Sequence, residues 1–221
     1  MSKKKKISNY YKEQEKLRKK KQNEKRLTIV LITLIVVLAI VIGAVAVSLL
    51  IKPDPIKVAL EVKDYGTIVL ELYPDVAPKT VENFLSYVRS GYYDGVIFHR
   101  VIEDFMIQSG DKDGDGYSDA SLPTIFGEFT ANGFQNDLEF KRGVIGMARS
   151  FSPNSASTQF FICHVDTPYL NGQYAAFGRV IEGIEVVDAI ATCEKTDDVD
   201  SNGSHYKPLH DIVIERAFVV E

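Results

Sequence analysis

Cysteine is scarce in this chain, and the two that are present do not form a recognisable site. Cys163 lies in the apolar run Phe160–Cys163, and Cys193 ends a helical pattern. Neither has the paired spacing of a zinc or redox motif, which excludes those classes of protein. A disulfide between them is permitted outside the cell, but two buried free thiols are the favoured interpretation.

The sequence also lacks the usual motifs of hydrolases and nucleotide-binding enzymes. It has no Gly-x-Ser-x-Gly elbow, no His-Glu-x-x-His pair and no Gly-x-x-x-x-Gly-Lys phosphate loop. His99 precedes Arg100 on a predicted strand and therefore points to the opposite face, which favours a structural or surface role over a catalytic one. The composition is otherwise that of a globular protein, with 45% hydrophobic and 25% charged residues.

Charge is entirely absent from residues 27–51, a run of 25 residues rich in Ile, Val and Leu. As a helix this run would span about 37 Å, against a hydrocarbon core of about 30 Å in a membrane. It separates two segments of opposite charge, because residues 1–26 carry a net +9 and residues 52–221 a net −13. The pattern predicts one transmembrane helix over 27–51.

The basic segment predicts the orientation of this helix, because Lys and Arg stay on the cytoplasmic side of a membrane. We expect a cytoplasmic tail over 1–26, a cell-membrane location, and an extracytoplasmic domain after a proline-containing linker over 52–55. A cleaved signal peptide is the alternative, since Ala44-Val45-Ala46 has the small residues of a cleavage site. A lysine-rich arm can also bind nucleic acid, but aromatic residues for base stacking are few, and we expect no such partner.

The domain over 56–221 shows the pattern of a mainly β protein. The strand-like runs Ile56–Val62 and Thr67–Tyr73 predict a hairpin, and helical periods of apolar residues begin at Pro78 and cover 184–192. The other apolar runs are Val96–Val101, Phe105–Gln108, Val144–Ala148, Gln159–Cys163, Ala176–Arg179 and a final strand over 211–220. Many short strands with two isolated helices indicate a β-barrel or sandwich capped by helices.

Residues 98–111 are the most informative stretch. They place an arginine, Arg100, and an amide, Gln108, on two short adjacent strands among large apolar side chains, with no nucleophile. Alternation gives Arg100 a face shared with Phe98, and Gln108 a face shared with Met106. A face that mixes a cation, an amide and apolar walls suits a groove that holds an apolar ring beside a carbonyl group.

Six short motifs of this domain occur together in a characteristic order and spacing. They are Phe98-His99-Arg100-Val101-Ile102, Phe105-Met106-Ile107-Gln108, Gly110-Asp111, Pro153-Asn154-Ser155, Gln159-Phe160-Phe161-Ile162 and Phe177-Gly178. In this register the domain resembles the cyclophilins, a family of peptidyl-prolyl cis/trans isomerases, and their bacterial members in particular. The resemblance implies a closed eight-stranded antiparallel β-barrel with a helix over each end, here preceded by the transmembrane helix.

The resemblance also implies roles for individual residues. Ten positions match catalytic or substrate-binding positions of the family: the catalytic Arg100, the proline-pocket residues Phe105, Met106, Phe161 and Leu170, the peptide-binding Gln108, the groove residues Ala148 and Gln159, and Tyr169 and Tyr174. Tyr169 stands where many eukaryotic members have tryptophan, and Tyr174 stands where they have histidine. The change at Tyr169 argues against tight cyclosporin binding.

The function implied is that of a foldase acting on X-Pro bonds of exported or cell-surface proteins. Such an isomerase needs no cofactor, and its partners are proline-containing polypeptides and the membrane that holds its helix. The alternative is a non-catalytic proline-peptide binding module or chaperone, modulated by calcium. Arg100 and Gln108 favour the enzyme, because a pure binder has no need of them. The sequence indicates no oligomeric state.

An acidic loop raises the question of calcium. Its carboxylates occupy relative positions 1, 3, 5 and 9 of a calcium loop, with glycine at position 6; they are Asp111, Asp113, Asp115 and Asp119. Position 12, where a bidentate Glu is expected, is Leu122, and the predicted flanks are not helices. An Asp/Gly-rich turn between strands is the alternative, and calcium is kept as a candidate ligand.

Overall fold

The computed structural model describes residues 3–50, 52–117, 119–199 and 206–220. The chain divides into two compact units, the first ending at Lys52 and the second beginning at Pro53. Ile51 and Glu221, the predicted ends of the transmembrane helix and of the outer domain, lie outside the described residues.

The first unit is one helix, α1, from Lys3 to Leu50. At 1.5 Å per residue its 48 residues extend about 72 Å, so the basic segment continues the helix of the apolar run. Within α1, Lys12–Gly43 is long and apolar enough to cross a membrane, and none of its most apolar stretch is buried by protein. A signal sequence would pass the same test of length and composition.

The second unit is built on one antiparallel sheet of eight strands. The strands are β1 (Ile56–Val62), β2 (Gly66–Leu72), β3 (Arg100–Ile102), β4 (Met106–Ser109), β5 (Val144–Met147), β6 (Phe160–Cys163), β7 (Ala176–Glu182) and β8 (Ile214–Val220). Their spatial order is β3-β4-β6-β5-β7-β2-β1-β8. The predicted hairpin is present, since β1 pairs with β2 from Ile56 opposite Leu72 to Val62 opposite Gly66.

The edge strands β3 and β8 are joined by a few backbone contacts instead of a full ladder. Ile97 and Val213, just before each strand, form a single antiparallel bridge. Beside it the amide of Phe98 donates a hydrogen bond to the carbonyl of Ile212 at 2.9 Å. The Ile214 amide also donates a hydrogen bond to the carbonyl of Val96, and the Gly95 amide donates one to the carbonyl of Ile214, both at 2.8 Å. The sheet is therefore curled into a barrel-like form, and the prediction of a mainly β fold with eight antiparallel strands is confirmed.

Two helices pack on the sheet, as predicted. They are α2 (Pro78–Arg89) and α3 (Ile184–Ala191). The apolar residues that α2 buries follow the helical period: Val81, Phe84, Leu85 and Val88. Proline suits the first turn of α2, because the missing amide hydrogen would have no partner within the helix.

A carboxylate from a distant part of the chain caps the amino end of α2. Ala77, which precedes the helix, offers no capping side chain. The buried Glu128 instead accepts hydrogen bonds from the backbone amides of Lys79 at 3.0 Å and Thr80 at 2.8 Å. An anion is stabilised there, because the first amides of a helix lack intrahelical partners and carry the positive end of the helix dipole. This contact ties α2 to the segment between β4 and β5.

The larger apolar cluster of the domain, the core cluster, lies between the sheet and the helices. Its large aromatic members are Phe84, Tyr93, Phe98, Phe160 and Phe177. The Phe84 ring lies 5.2 to 5.3 Å from the rings of Tyr93, Phe160 and Phe177. Because Phe98 belongs to this cluster, the prediction that it shares a face with Arg100 is wrong. Strand β3 begins only at Arg100, so the alternation does not extend back to Phe98.

Candidate active site

Arg100 and Gln108 lie directly opposite each other on two paired strands. In the register of β3 and β4, Arg100 pairs with Gln108 and Ile102 pairs with Met106. Because paired residues of antiparallel strands project to the same face, these side chains stand on one side of the sheet. The Arg100 Nη1 atom is 3.8 Å from the Met106 sulfur, and Cζ of Arg100 is 5.7 Å from the centroid of the Phe105 ring.

A cavity of about 210 Å³, the first cavity, opens beside Arg100. It brings together eight of the ten predicted positions and one residue that was not predicted, Arg149. The lining residues are Arg100, Phe105, Met106, Gln108, Ala148, Arg149, Phe161, Leu170 and Tyr174. This described lining contains no Ser, Cys, His, Asp or Glu, which are the usual nucleophiles and proton-transfer groups of enzymes. It is suited to holding an apolar ring beside a guanidinium and an amide.

The apolar wall of the first cavity belongs to a second cluster, the pocket cluster, whose buried members are Met106, Phe140, Val144, Phe161, Cys163, Leu170 and Ala176. The Phe161 ring stacks on Phe140 at 5.4 Å and meets the Tyr174 ring edge-on at 5.7 Å. Gly146 makes this stack fit. A Cβ at Gly146 would come within 2.6 Å of the Phe140 ring and 2.7 Å of the Phe161 ring.

A second cavity, of about 400 Å³, adjoins the first and shares Gln108, Ala148 and Arg149 with it. Gln159, predicted to line the groove, is buried and lines the second cavity but not the first. The Gln108 side-chain amide donates a hydrogen bond to the Gln159 Oε1 atom at 2.8 Å, and Gln159 donates to the carbonyl of Tyr117 at 3.2 Å. These bonds fix the side chain of Gln108 between the two cavities.

Tyr169 is the predicted site residue that lies outside both described linings. Its side chain is 66% exposed, and its ring centroid is 6.0 Å from that of Phe105. Partial burial raises the pKa of its hydroxyl group above the ordinary value. The structure therefore places Tyr169 at the rim, behind a wall residue of the first cavity.

Arg149 was missed because strand alternation gave no reason to single it out. It follows Ala148, which was predicted to line the groove. If the strand continued, the side chains of these two residues would point to opposite faces. Strand β5 ends at Met147, however, and both residues line the first and the second cavity. Only the course of the chain after β5 brings the arginine to the site.

Both cysteines are free thiols, as favoured from the sequence, but the prediction that both are buried is wrong for Cys193, which is only partly buried. Cys163 is fully buried in the pocket cluster, with its sulfur 3.3 Å from the Thr167 hydroxyl oxygen. Burial raises the pKa of the Cys163 thiol to about 11. The thiol is therefore protonated at neutral pH and cannot act there as a thiolate nucleophile.

His99 lies under the acidic loop and outside the described lining of both cavities. Its side chain is buried, and neither ring nitrogen has a hydrogen-bond partner among the described residues. Burial lowers its pKa, against the opposing effect of the Asp111 carboxylate. This placement agrees with a structural histidine.

The carboxylates of the acidic loop are not grouped as metal ligands among the described residues. Three of them accept hydrogen bonds from nearby backbone amides: Asp111 from Asp113 and Gly116, Asp115 from Tyr117, and Asp119 from Ser121. Among the described residues, no three His, Cys, Asp or Glu side chains are placed to hold a metal ion. The calcium prediction for Asp111, Asp113, Asp115 and Asp119 is therefore not supported, because these bonds are those of an Asp/Gly-rich turn.

Comparison with known proteins decides the family. The model of the cyclophilin type peptidyl-prolyl cis-trans isomerases matches residues 57–219, about three quarters of the chain. The chain belongs to the cyclophilin family. It is therefore a peptidyl-prolyl cis/trans isomerase, as the order and spacing of its motifs implied.

Individual cyclophilin relatives show the same similarity over about 70% of this chain. A peptidyl-prolyl cis-trans isomerase of Streptomyces antibioticus is 48% identical over 163 residues, which are 70% of this chain and 93% of the relative. A probable peptidyl-prolyl cis-trans isomerase of Brucella suis is 44% identical over 163 residues, 69% of this chain and 79% of the relative. The crystal structure of a Cryptosporidium parvum cyclophilin superposes with a TM-score of 0.65 at 32% identity, covering 76% of this chain and 98% of that one.

Proposed function

We propose that this cyclophilin is a membrane-anchored foldase that isomerises X-Pro bonds of exported or cell-surface proteins. Its parts would be a cytoplasmic tail (1–26), a transmembrane helix (27–51), a linker (52–55) and an extracytoplasmic isomerase domain (56–221). The apolar length of the uncharged run over 27–51 and the opposite charges of the segments before and after it support this arrangement. The alignment of Arg100 with Gln108 beside an apolar cavity is the observation that carries the choice of active site.

The chemistry of prolyl isomerisation suits a site without a nucleophile. Rotation about an X-Pro bond must break amide resonance, which sets a barrier of about 18–20 kcal/mol. The two isomers differ by only about 0.5–1 kcal/mol, so the enzyme has to lower the barrier and need not drive the equilibrium. No covalent bond forms or breaks in this reaction, and a noncovalent site is sufficient.

In the proposed mechanism the proline ring occupies the first cavity, against Phe105, Met106, Phe161, Leu170 and Tyr174. As the amide twists, its nitrogen loses conjugation and gains a lone pair that can accept a hydrogen bond. Arg100 donates that bond, which is absent from the planar ground state and therefore stabilises only the transition state. A guanidinium remains charged throughout the pH range of proteins and presents its donors in a rigid fork.

Gln108 would hold the peptide backbone of the substrate while the flanking carbonyl group rotates. Its side chain is fixed by Gln159, and it faces Arg100 across the strand pair. Ala148 leaves room for the substrate between the two cavities. Tyr169 would shield the rim through its contact with Phe105.

The active-site proposal is tested by Arg100→Ala in the full chain, with Arg179→Ala as the matched control. Arg179 is an exposed arginine of β7 that lies in neither described lining. We expect Arg100→Ala to lower kcat/KM for prolyl isomerisation about 10²–10³-fold, the usual effect of removing one transition-state donor. Arg179→Ala should leave it unchanged. Equal activity of Arg100→Ala and the parent protein would refute the mechanism, and an inactive parent would favour a binding module.

The topology proposal is tested by labelling single introduced cysteines with a membrane-impermeant maleimide, in a Cys193→Ser background because the native Cys193 thiol is only partly buried. Asp54→Cys should react in intact cells, and Lys12→Cys only after the membrane is permeabilised. The intact mass of the membrane-bound protein separates an anchor, which keeps residues 1–51, from a cleaved signal peptide. The reverse labelling pattern would overturn the proposed orientation.

A further inference from the structure

Arg149 is a second arginine of the site, and its guanidinium is held between two aromatic rings. Its Cζ atom is 4.6 Å from the centroid of the Tyr174 ring and 5.1 Å from that of Phe129. Phe129 is buried, and Tyr174 is a wall residue of the first cavity. The arginine therefore has a defined place at the junction of the two cavities, which both include it in their lining.

The hydrogen bonds that hold Arg149 do not neutralise its charge. Its nitrogens donate hydrogen bonds to three backbone carbonyls, those of Gln173 at 2.9 and 3.1 Å, Ser150 at 3.0 Å and Phe151 at 3.4 Å. No ion pair joins it to a carboxylate among the described residues. Carbonyl groups orient a guanidinium but leave its full positive charge.

Arg149 is a positive charge within a strongly acidic domain. The isomerase unit from residue 52 onward is strongly acidic, with a net charge of −13. The described lining of the first cavity nevertheless contains no Asp or Glu. The lining of the second cavity contains one, Asp119, whose carboxylate accepts a hydrogen bond from the Ser121 amide. The site is therefore cationic where the cavities meet and acquires a negative charge only in the second cavity.

We propose that Arg149 is a specificity-determining residue that favours substrates with a carboxylate side chain directly flanking the isomerised proline. The inference depends on the proposed function, in which the proline occupies the first cavity. A side chain next to that proline lies at the junction of the cavities, within reach of Arg149. Glu or Asp at this position gains an ion pair there, and Lys or Arg meets a like charge.

The size of the preference follows from the exposure of the arginine. Arg149 is only half-buried, and exposed ion pairs contribute little because water and salt screen them. We expect a two- to five-fold preference in kcat/KM for Glu over Gln, about the range of such pairs. The preference should lie in KM, because Arg149 binds the flanking side chain and does not contact the rotating amide.

The test measures kcat/KM of the full chain in detergent micelles by NMR exchange, which needs no coupling protease. Two peptide series carry Glu, Gln or Lys directly before or directly after one proline. The expected order is Glu, then Gln, then Lys, in at least one series. Arg149→Gln should abolish the order. Arg149→Lys should keep it, because the charge is retained, and the control Arg179→Gln should keep it as well.

A substitution at Asp119 should change the charge preference in the opposite direction to one at Arg149. Its carboxylate lines the second cavity and would repel an acidic side chain bound at the junction. Asp119→Asn should therefore raise the ratio of kcat/KM for Glu over Gln peptides above that of the parent protein, and added salt should reduce this rise because it screens the charges.

Three results would overturn the proposal. Equal kcat/KM for the Glu, Gln and Lys peptides in both series means that Arg149 does not select substrates by charge. An equal loss on all peptides in both Arg149→Gln and Arg149→Lys means that the arginine only supports Tyr174 and the loop after β5. Absence of activity on every peptide would overturn the proposed function together with this inference. Equal activity on all peptides would overturn this inference alone.

Discussion

Phe84 and Phe161 are side chains of the same kind in two different clusters of one domain. Phe84 is fully buried in the core cluster, with rings of Tyr93, Phe160 and Phe177 around it. Phe161 is 5% exposed in the pocket cluster and borders the first cavity on one side. A ring enclosed on all sides contributes to stability, and a ring with one open side can also bind a ligand. The difference is one of surroundings and is invisible in the residue type.

The largest expected effect is a difference between the two rings when each is removed. Phe84→Ala should lower the free energy of unfolding by about 3–5 kcal/mol, because it leaves a large cavity in a closed core. Phe161→Ala should lower it by less, since the ring already borders open space, but should reduce kcat/KM more than tenfold. Urea unfolding followed by near-UV circular dichroism of the tyrosines, together with the isomerase assay on the folded fraction, gives both quantities. Equal stability losses with equal activities would mean that the clusters do not differ.

A smaller effect is expected from substituting Gly146, which contacts the ring stack of the pocket cluster. Gly146→Ala should displace the stacked rings of Phe140 and Phe161, since the new Cβ would lie within 3 Å of both. Overpacking of this kind costs about 1–3 kcal/mol of stability, and we expect a several-fold loss of kcat/KM as the cavity wall shifts. Gly43→Ala is the matched control, because a Cβ at Gly43 meets no atom within 4 Å. Unchanged activity of Gly146→Ala would show that the wall tolerates displacement.

The smallest effect is a pH dependence that separates stability from activity. Burial lowers the pKa of His99 below its ordinary value of 6.5. The unfolded chain therefore binds a proton that the folded chain does not, and stability should fall as the pH drops below about 6.5, by at most about 1.4 kcal/mol per unit. The described lining of the first cavity has no Asp, Glu or His. We therefore expect kcat/KM of the folded enzyme to stay level from pH 6 to 8.

The control for this pH effect is His99→Phe, which keeps a planar ring and removes the titrating group. Unfolding measured at pH 7.5 and pH 5.5 should show a smaller loss of stability for His99→Phe than for the parent protein. An identical loss in both proteins would assign the pH dependence to groups other than His99.

Local patterns in the sequence were sufficient for much of the fold. The helical period from Pro78 predicted the buried face of α2, and the runs Ile56–Val62 and Thr67–Tyr73 predicted the first hairpin. The short strands around Arg100 and Gln108 were predicted with enough accuracy to place the two on one face. The exception was Phe98, because β3 is three residues long and alternation cannot be extended past the end of a strand.

The order of the motifs predicted site residues that periodicity alone could not identify. The resemblance selected ten site positions, of which eight line the first cavity, Gln159 lines the second and Tyr169 lies at the rim. Their roles remain proposals. The calcium loop stays a prediction without support, because matching spacing does not by itself make side chains converge, and three of its carboxylates accept hydrogen bonds from nearby amides.

The sequence by itself determined the uncharged run over 27–51, the contrast of charge on its two sides, and the placement of Arg100 and Gln108 on neighbouring strands. These are local properties, since each depends on composition or on the two-residue period of a strand. Only the tertiary structure decided that Glu128 caps α2, that Gly146 makes room for the ring stack, and that Arg149 joins the site. Those contacts link residues far apart in the chain, and no local period specifies which distant segments meet.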